Sequence, residues 1–305
     1  MSHFTVAVIT DGIPTYERIS KALAPYQENN MEDCPKEYLQ FFEIETEERK
    51  NYENKTTKMY RDFNGNLFFT GDPKFRHKTQ EQIVEQGYRP TEVKFKDIYP
   101  TFDAYMCDWV EITKNPETGK YGYWENPNAK WDWYQVGGRY AGLLKVRPDC
   151  ENCGTGEKSW TWGITNPYEI EKGCRKVDSA RIKELVFPDY QDKYEKAKRF
   201  WELYIEGDKP ENKAEEEMIK WAFYRPNYYL ETYKNKETYA ECEATFHTYA
   251  TIDKNGHWIA KGEMGWWCCS IEAENQVVNY IKNYKQKVFD NAEENDYITI
   301  VDCHI

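Results

Sequence analysis

A chain of 305 residues, 40% hydrophobic and 16% aromatic, is long enough for one large domain or two ordinary ones with a sizeable core. Its 41 Lys and Arg against 53 Asp and Glu give a net charge of −12, which disfavours a general nucleic-acid binder, because displacing counterions from phosphate takes clustered cations. No apolar run approaches the roughly 20 residues of a membrane span, and the N-terminus lacks the charged-then-apolar layout of a signal peptide, so a soluble chain that stays in the compartment where it is made is expected.

The run His3–Thr10 is short, β-branched and apolar, bounded by Asp11-Gly12, and reads as a buried strand. Asn64-Gly65 and Tyr121–Trp124 mark strand-like stretches in residues 50–130, with a turn at Asn115-Pro116-Glu117-Thr118-Gly119 between elements. Residues 188–241 read as helical and heavily charged. Tyr190, Tyr194, Ala197, Trp201 and Tyr204 recur at helical spacing, and Pro210 and Pro226 break the block into further helices. An inserted helical arm and an ordinary helical layer both fit this block.

Ala244–Ile252 and His257–Ala260 flank Asp253-Lys254-Asn255-Gly256, a hairpin signal because Asn-Gly accepts the positive φ of a tight turn. A helix is expected near Glu274–Phe289, with Val277, Val278, Ile281, Tyr284 and Val288 on one face. The last strand is Tyr297–Val301. The two terminal strands are expected to be neighbours, giving an α+β fold with an antiparallel sheet module built from both termini and a mainly helical insertion. The expected division is 1–187, 188–241 and 242–305.

The acidic runs Glu43–Glu48 and Glu215-Glu216-Glu217 read as solvated helix faces, with DNA mimicry as the lesser alternative. The 25 Tyr and 11 Trp suit wet-edged cores and protein interfaces alike. The Walker phosphate loop, the HExxH zincin motif, the GxSxG elbow and the dinucleotide fingerprint do not occur.

Three groups of residues carry chemical interest. Cys150-Glu151-Asn152-Cys153-Gly154 has the spacing of half a zinc knuckle, with Cys174 the nearest further thiol. A structural zinc wants four ligands, so zinc and a pair of reduced or redox-labile thiols both remain open, and no other cofactor is expected. Cys268-Cys269, after Trp266-Trp267, and Cys303-His304 are buried small hydrophobes by default, with subunit contact for Cys268, Cys269 and Cys303 as the alternative and a Cys/His cluster with His3 as another. Trp131-Asp132-Trp133-Tyr134, followed by Gly137-Gly138-Arg139-Tyr140, alternates aromatic with polar before a glycine break. Asp132 and Arg139 are expected to pair across that turn, as a structural corner or as the lining of a ligand or partner site.

Several blocks together resemble a family of phage- and prophage-encoded proteins. They are Ser2-His3-Phe4-Thr5-Val6, Leu23-Ala24-Pro25-Tyr26, Asn126-Pro127 leading into Lys130-Trp131-Asp132-Trp133-Tyr134, Gly137-Gly138-Arg139, Gly262-Glu263-Met264-Gly265-Trp266 and Val301-Asp302-Cys303-His304-Ile305. Residues 188–241 and the Cys150/Cys153 region do not share in it. In size and lack of enzymatic motifs the chain is similar to the large phage inhibitors of the Gabija defence system. That resemblance implies a non-enzymatic homo-oligomer in the cytoplasm of the infected bacterial host, which wraps a nuclease–ATPase assembly and blocks its DNA binding and cleavage, without touching nucleic acid or membrane itself. Binding would fall to aromatic and Arg anchors, namely Trp131, Trp133, Tyr134, Arg139, Trp201, Tyr204, Trp266 and Trp267, with Asp132 beside them. The competing expectations are a zinc- or thiol-dependent enzyme and a sponge for nucleotide signals lined by Asp132 and Arg139.

Overall fold

A computed structural model describes residues 3–151, 153–154, 157–158, 170–171, 173–264, 270–271 and 276–305. The chain is α+β and divides into two compact units: Met1–Tyr38 with Asn128–Ile305, and Leu39–Pro127. This division differs from the one expected at residue 188. The separable piece is the aromatic-rich 39–127, whereas the helices of 188–241 belong to the larger unit. Its neck is held by Lys130 N–H donating to Tyr26 O at 2.7 Å and Glu28 N–H donating to Trp131 O at 2.7 Å.

The larger unit is built, in chain order, from β1 (His3–Thr10), α1 (Tyr16–Leu23), β2 (Trp133–Gly138), β3 (Ser179–Arg181), α2 (Tyr190–Trp201), α3 (Lys213–Lys220), α4 (Pro226–Tyr233), α5 (Lys236–Ala244), β4 (Ala250–Ile252), β5 (Trp258–Ala260), α6 (Gln276–Lys282) and β6 (Tyr297–His304). Terminal strands β1 and β6 pair antiparallel along their whole length, from His3↔His304 to Thr10↔Tyr297. On the far side of β1 lies β4, whose hairpin partner is β5. Along the other edge of β6, β2 covers residues 301–304 and β3 covers 297–299. The β1–β4 pair is parallel, so the sheet is mixed where an antiparallel one was expected; the long connection between them permits a parallel return.

Both faces of the sheet are buried, which explains why β1 and β6 are near-continuous apolar runs rather than alternating ones. Phe4, Val6, Val8, Val301 and Cys303 pack under α1 through Ile19 and Leu23, one turn apart on that helix. Thr15 caps α1 by accepting the Arg18 N–H. On the opposite face Ala7, Ile9, Ile298 and Ile300 meet Phe200, Trp201, Tyr229, Tyr239, Tyr280 and Tyr284 from the helical layer. Pro226 at the first turn of α4 and Asn235 capping α5 set where those helices begin. The block 188–241 is thus the ordinary layer on the sheet and not an arm.

Residues 39–127 have their own cores. The strand Thr56–Arg61 lies between Leu67–Phe69 and Arg89–Lys94, and Gln40–Glu43 pairs with Gly122–Glu125. Phe95, Tyr99, Phe102, Tyr105, Met106 and Tyr121 form one cluster, and Tyr60, Phe75 and Ile83 a smaller one. Among the described residues no helix is long and apolar enough to cross a membrane.

Candidate functional site

Antiparallel pairing of β1, β6 and β2 puts His3, His304 and Trp133 on one rung, and the period of two points all three to the same face. The rung below carries Thr5, Asp302 and Gln135. His3 Nδ1 is 2.8 Å from Asp302 Oδ1, and His304 Nδ1 is 2.5 Å from Asp132 Oδ1. A carboxylate only accepts, so each Nδ1 carries the proton and each Nε2 is left as the second functional nitrogen. The imidazole rings are 5.1 Å apart, edge to face, and the Trp133 indole is 6.1 Å from His3. Among the described residues, Nε2 of His304 is buried with no hydrogen-bond partner.

The glycine break serves the carboxylates. Asp302 is fully buried, and its second oxygen, Oδ2, accepts the Arg139 N–H at 2.8 Å. Asp178, also fully buried, accepts the Gly142 N–H at 2.6 Å, while its backbone bridges the junction of β2 and β3 by accepting Ile300 N–H. A Cβ on Gly137 would lie 2.6 Å from Asp178 Oδ2, and one on Gly138 2.4 Å from Asp302 Cβ; both residues have positive φ. Only glycine lets this loop close over two buried carboxylates. Tyr140 ties the loop to β1 by donating its hydroxyl to His3 O.

The expected Asp132–Arg139 pair does not form. Asp132 belongs to His304, and the Arg139 side chain is exposed with no ion pair among the described residues. The Cys/His cluster is likewise corrected. Cys303 pairs with Phe4 on the opposite face, completely buried among Phe4, Val6 and Trp131, and burial pushes its thiol well above the ordinary range. It faces neither His3 nor another subunit, and the partner of His3 is Asp302. Trp131 is interior, its indole N–H donating to Leu23 O at 3.0 Å, so it braces the site instead of contacting a partner. Tyr134 is half-buried and stacks on Tyr16; Trp133 is 48% exposed.

The expectations from the sequence do not include Asp178, and Asp302 enters them only within the Val301–Ile305 block. The available signal was a carboxylate inside an apolar strand, Val301-Asp302-Cys303, and another just before Ser179-Ala180, since buried charges are kept only when paired.

Of the aromatic anchors expected in 188–241, Trp201 is 3% exposed and lies in the core against Tyr239, so it cannot meet a partner. Tyr204 is part-buried and supports the α3–α4 connection by donating to Tyr224 O at 3.0 Å. That connection carries exposed aromatics instead: Trp221 is 76% and Phe223 78% exposed, Tyr224 packs on Phe223, and Leu230 is exposed on α4. Trp266, Trp267, Cys268 and Cys269 lie outside the described residues.

Cys150 is buried and Cys153 half-buried. Cys153 donates to Cys150 O at 3.3 Å, and the Arg175 guanidinium, next to Cys174, donates to both Cys150 O and Cys153 Sγ. Burial, then Cys153 and Glu184, push the Cys150 thiol up to about 12. Among the described residues no group of three or more His, Cys, Asp or Glu is placed to hold a metal ion.

Comparison with family models, curated proteins and solved structures finds no match to this chain.

Proposed function

We propose that the protein is a phage counter-defence protein of the infected host's cytoplasm, which as a homo-oligomer binds a Gabija-type nuclease–ATPase complex stoichiometrically and blocks its DNA binding or cleavage. The observation that carries the reading is the ridge at Trp221, Phe223 and Tyr224, with the first two more than three-quarters exposed and Leu230 exposed further along the same stretch of the helical layer. Exposed clusters of this kind mark interaction sites, and Trp and Tyr supply much of the energy at interfaces. The ridge is built rather than frayed: Tyr224 stacks on Tyr228 at 3.8 Å, and Tyr204 holds the backbone beneath it. A net charge of −12 favours approach to a basic surface such as the DNA track of a nuclease. The resemblance of the terminal and Trp131–Arg139 blocks to phage proteins supplies the biological setting.

The test is co-purification with a tagged Gabija complex, wild type against the double variant Trp221→Ala/Phe223→Ala. Loss of two hot-spot side chains is expected to weaken binding by roughly 30-fold or more, about 2 kcal/mol, with the circular dichroism spectrum unchanged. Binding that survives the double variant removes the ridge from the interface, and no association of the wild type removes the reading itself.

A further inference from the structure

We propose that the cavity between the β4–β5 hairpin and the start of β1 binds a small planar aromatic anion, a role beyond partner binding and at other residues. The cavity holds about 240 Å³, and its lining includes Phe4, Lys130, Tyr249, Trp258, Ala260 and Ile305, all in the larger unit. Clefts for drug-sized ligands run to roughly 300–1,000 Å³. A space just below that range takes one small ring system and excludes a peptide or a dinucleotide.

The fold fixes the walls before any ligand arrives. Phe4, buried in β1, meets Tyr249 at 5.3 Å and Trp258 at 6.4 Å, with interplanar angles of 64° and 75°. Both neighbouring rings thus stand steeply to the Phe4 ring. Tyr26 braces Trp258, with 5.0 Å between the ring centres. Its hydroxyl donates to Gly256 O at 2.7 Å and accepts the Trp258 N–H at 2.9 Å, which pins the hairpin as well. Ala260, two residues along β5, faces the same way as Trp258 and is too small to fill the space beside it. Rigid aromatic walls of this kind offer stacking surface to a flat ring.

The charge of the ligand follows from the lysines. Lys130 is half-buried in the lining and makes no ion pair among the described residues. The Lys261 ammonium lies 5.6 Å from the centre of the Tyr249 ring, and no acidic side chain of the described residues lines the cavity. Aromatic walls alone would welcome an organic cation, but two ammonium groups at the same place repel one. A neutral ring would leave the Lys130 charge half-buried and unpaired, whereas an anionic one gives it a charge-assisted bond. The net charge of −12 does not reverse this preference. Exposed charges more than about 8 Å away are largely screened at physiological salt, while Lys130 stands in the lining itself. Carboxylate and phosphate satisfy the lysine equally, so an aromatic acid and a nucleoside monophosphate share the required chemistry.

The experiment is calorimetric titration of the full-length protein with two charge series. Indole-3-acetate, neutral indole-3-acetamide and cationic tryptamine carry one ring system; AMP and adenosine carry another. In at least one series the anion is expected to bind 1:1 and at least 10-fold more tightly than its neutral counterpart, with tryptamine weakest. Indole-3-acetate alone doing so assigns an aromatic acid, and AMP alone a nucleotide. Lys130→Met should erase the preference for the anion while keeping the neutral ring, and Lys130→Arg should restore it. Ala260→Leu fills the cavity and should remove binding of both forms with the circular dichroism spectrum unchanged. No binding of either anion at millimolar concentration, tryptamine binding as tightly as the anions, or a preference that survives Lys130→Met each overturns the proposal, as does unchanged binding in folded Ala260→Leu. Association with a Gabija complex is expected to survive Lys130→Met, so either reading can fail alone.

Discussion

Replacing Gly138 by Ala tests whether the glycine break exists to seat Asp302. At φ +54 a non-glycine residue costs about 1–2 kcal/mol. The added Cβ would also lie 2.4 Å from Asp302 Cβ, so loop or aspartate must move by about 1 Å to restore ordinary contact. Asp302 has nowhere to go: it is fully buried, bonded to His3 on one oxygen and to the Arg139 N–H on the other. Losing one of those charge-assisted bonds costs about 1.5–3 kcal/mol, so the total is about 2.5–5 kcal/mol, a large part of typical domain stability. Gly65→Ala is the control, with φ +88 but nothing within 4 Å of its Cβ, and should cost only about 1–2 kcal/mol. Urea unfolding followed by tryptophan fluorescence measures both. If the two variants lose stability equally, the contact with Asp302 is not what requires glycine.

Other consequences can be measured in the same way. Tyr284→Phe removes a hydroxyl bonded to Thr248 and Thr251 at 2.9 and 3.1 Å and should cost about 1–3 kcal/mol because two buried partners lose a bond; no change in the urea midpoint would mean the threonines satisfy each other. Burial pushes His247 down to about 4 from its ordinary 6.5, so the unfolded chain binds that proton first. Its contribution is absent above pH 6.5 and becomes destabilising as pH falls through 6.5 towards 4, by at most about 3 kcal/mol and less with partial solvent access. The stability difference between wild type and His247→Gln, titrated over that window, should shift in the variant's favour, and a flat difference contradicts the assignment. Replacing Leu39–Pro127 by a short Gly/Ser linker should leave the larger unit folded, because the Tyr26–Glu28 and Lys130–Trp131 contacts close the neck; a molten spectrum would show that the units depend on each other.

Elements whose signals are local were legible in the chain alone. The apolar β-branched runs at His3–Thr10 and Tyr297–Val301, the Asn255-Gly256 turn and the buried face of Val277 and Ile281, continued by Val288 in the π-helical turn Lys285–Phe289, require only backbone sterics and periodicity, and they lie where expected. The α+β class followed from them, and so did the pairing of the two ends. Which side chains share a space depends instead on contacts between segments far apart in the chain. Cys303 and His304 are adjacent in the chain, yet the pleat sends one into the core and the other beside His3. Asp132 sits seven residues before Arg139, but antiparallel register delivers it to His304 across 172 positions. Trp201 and Trp221 look alike in a charged helical block, and only the docking of that layer on the sheet buries the first and leaves the second in water. Periodicity assigns a residue to a face; the register of strands far apart in sequence, set by burial of both sheet faces, decides what that face meets.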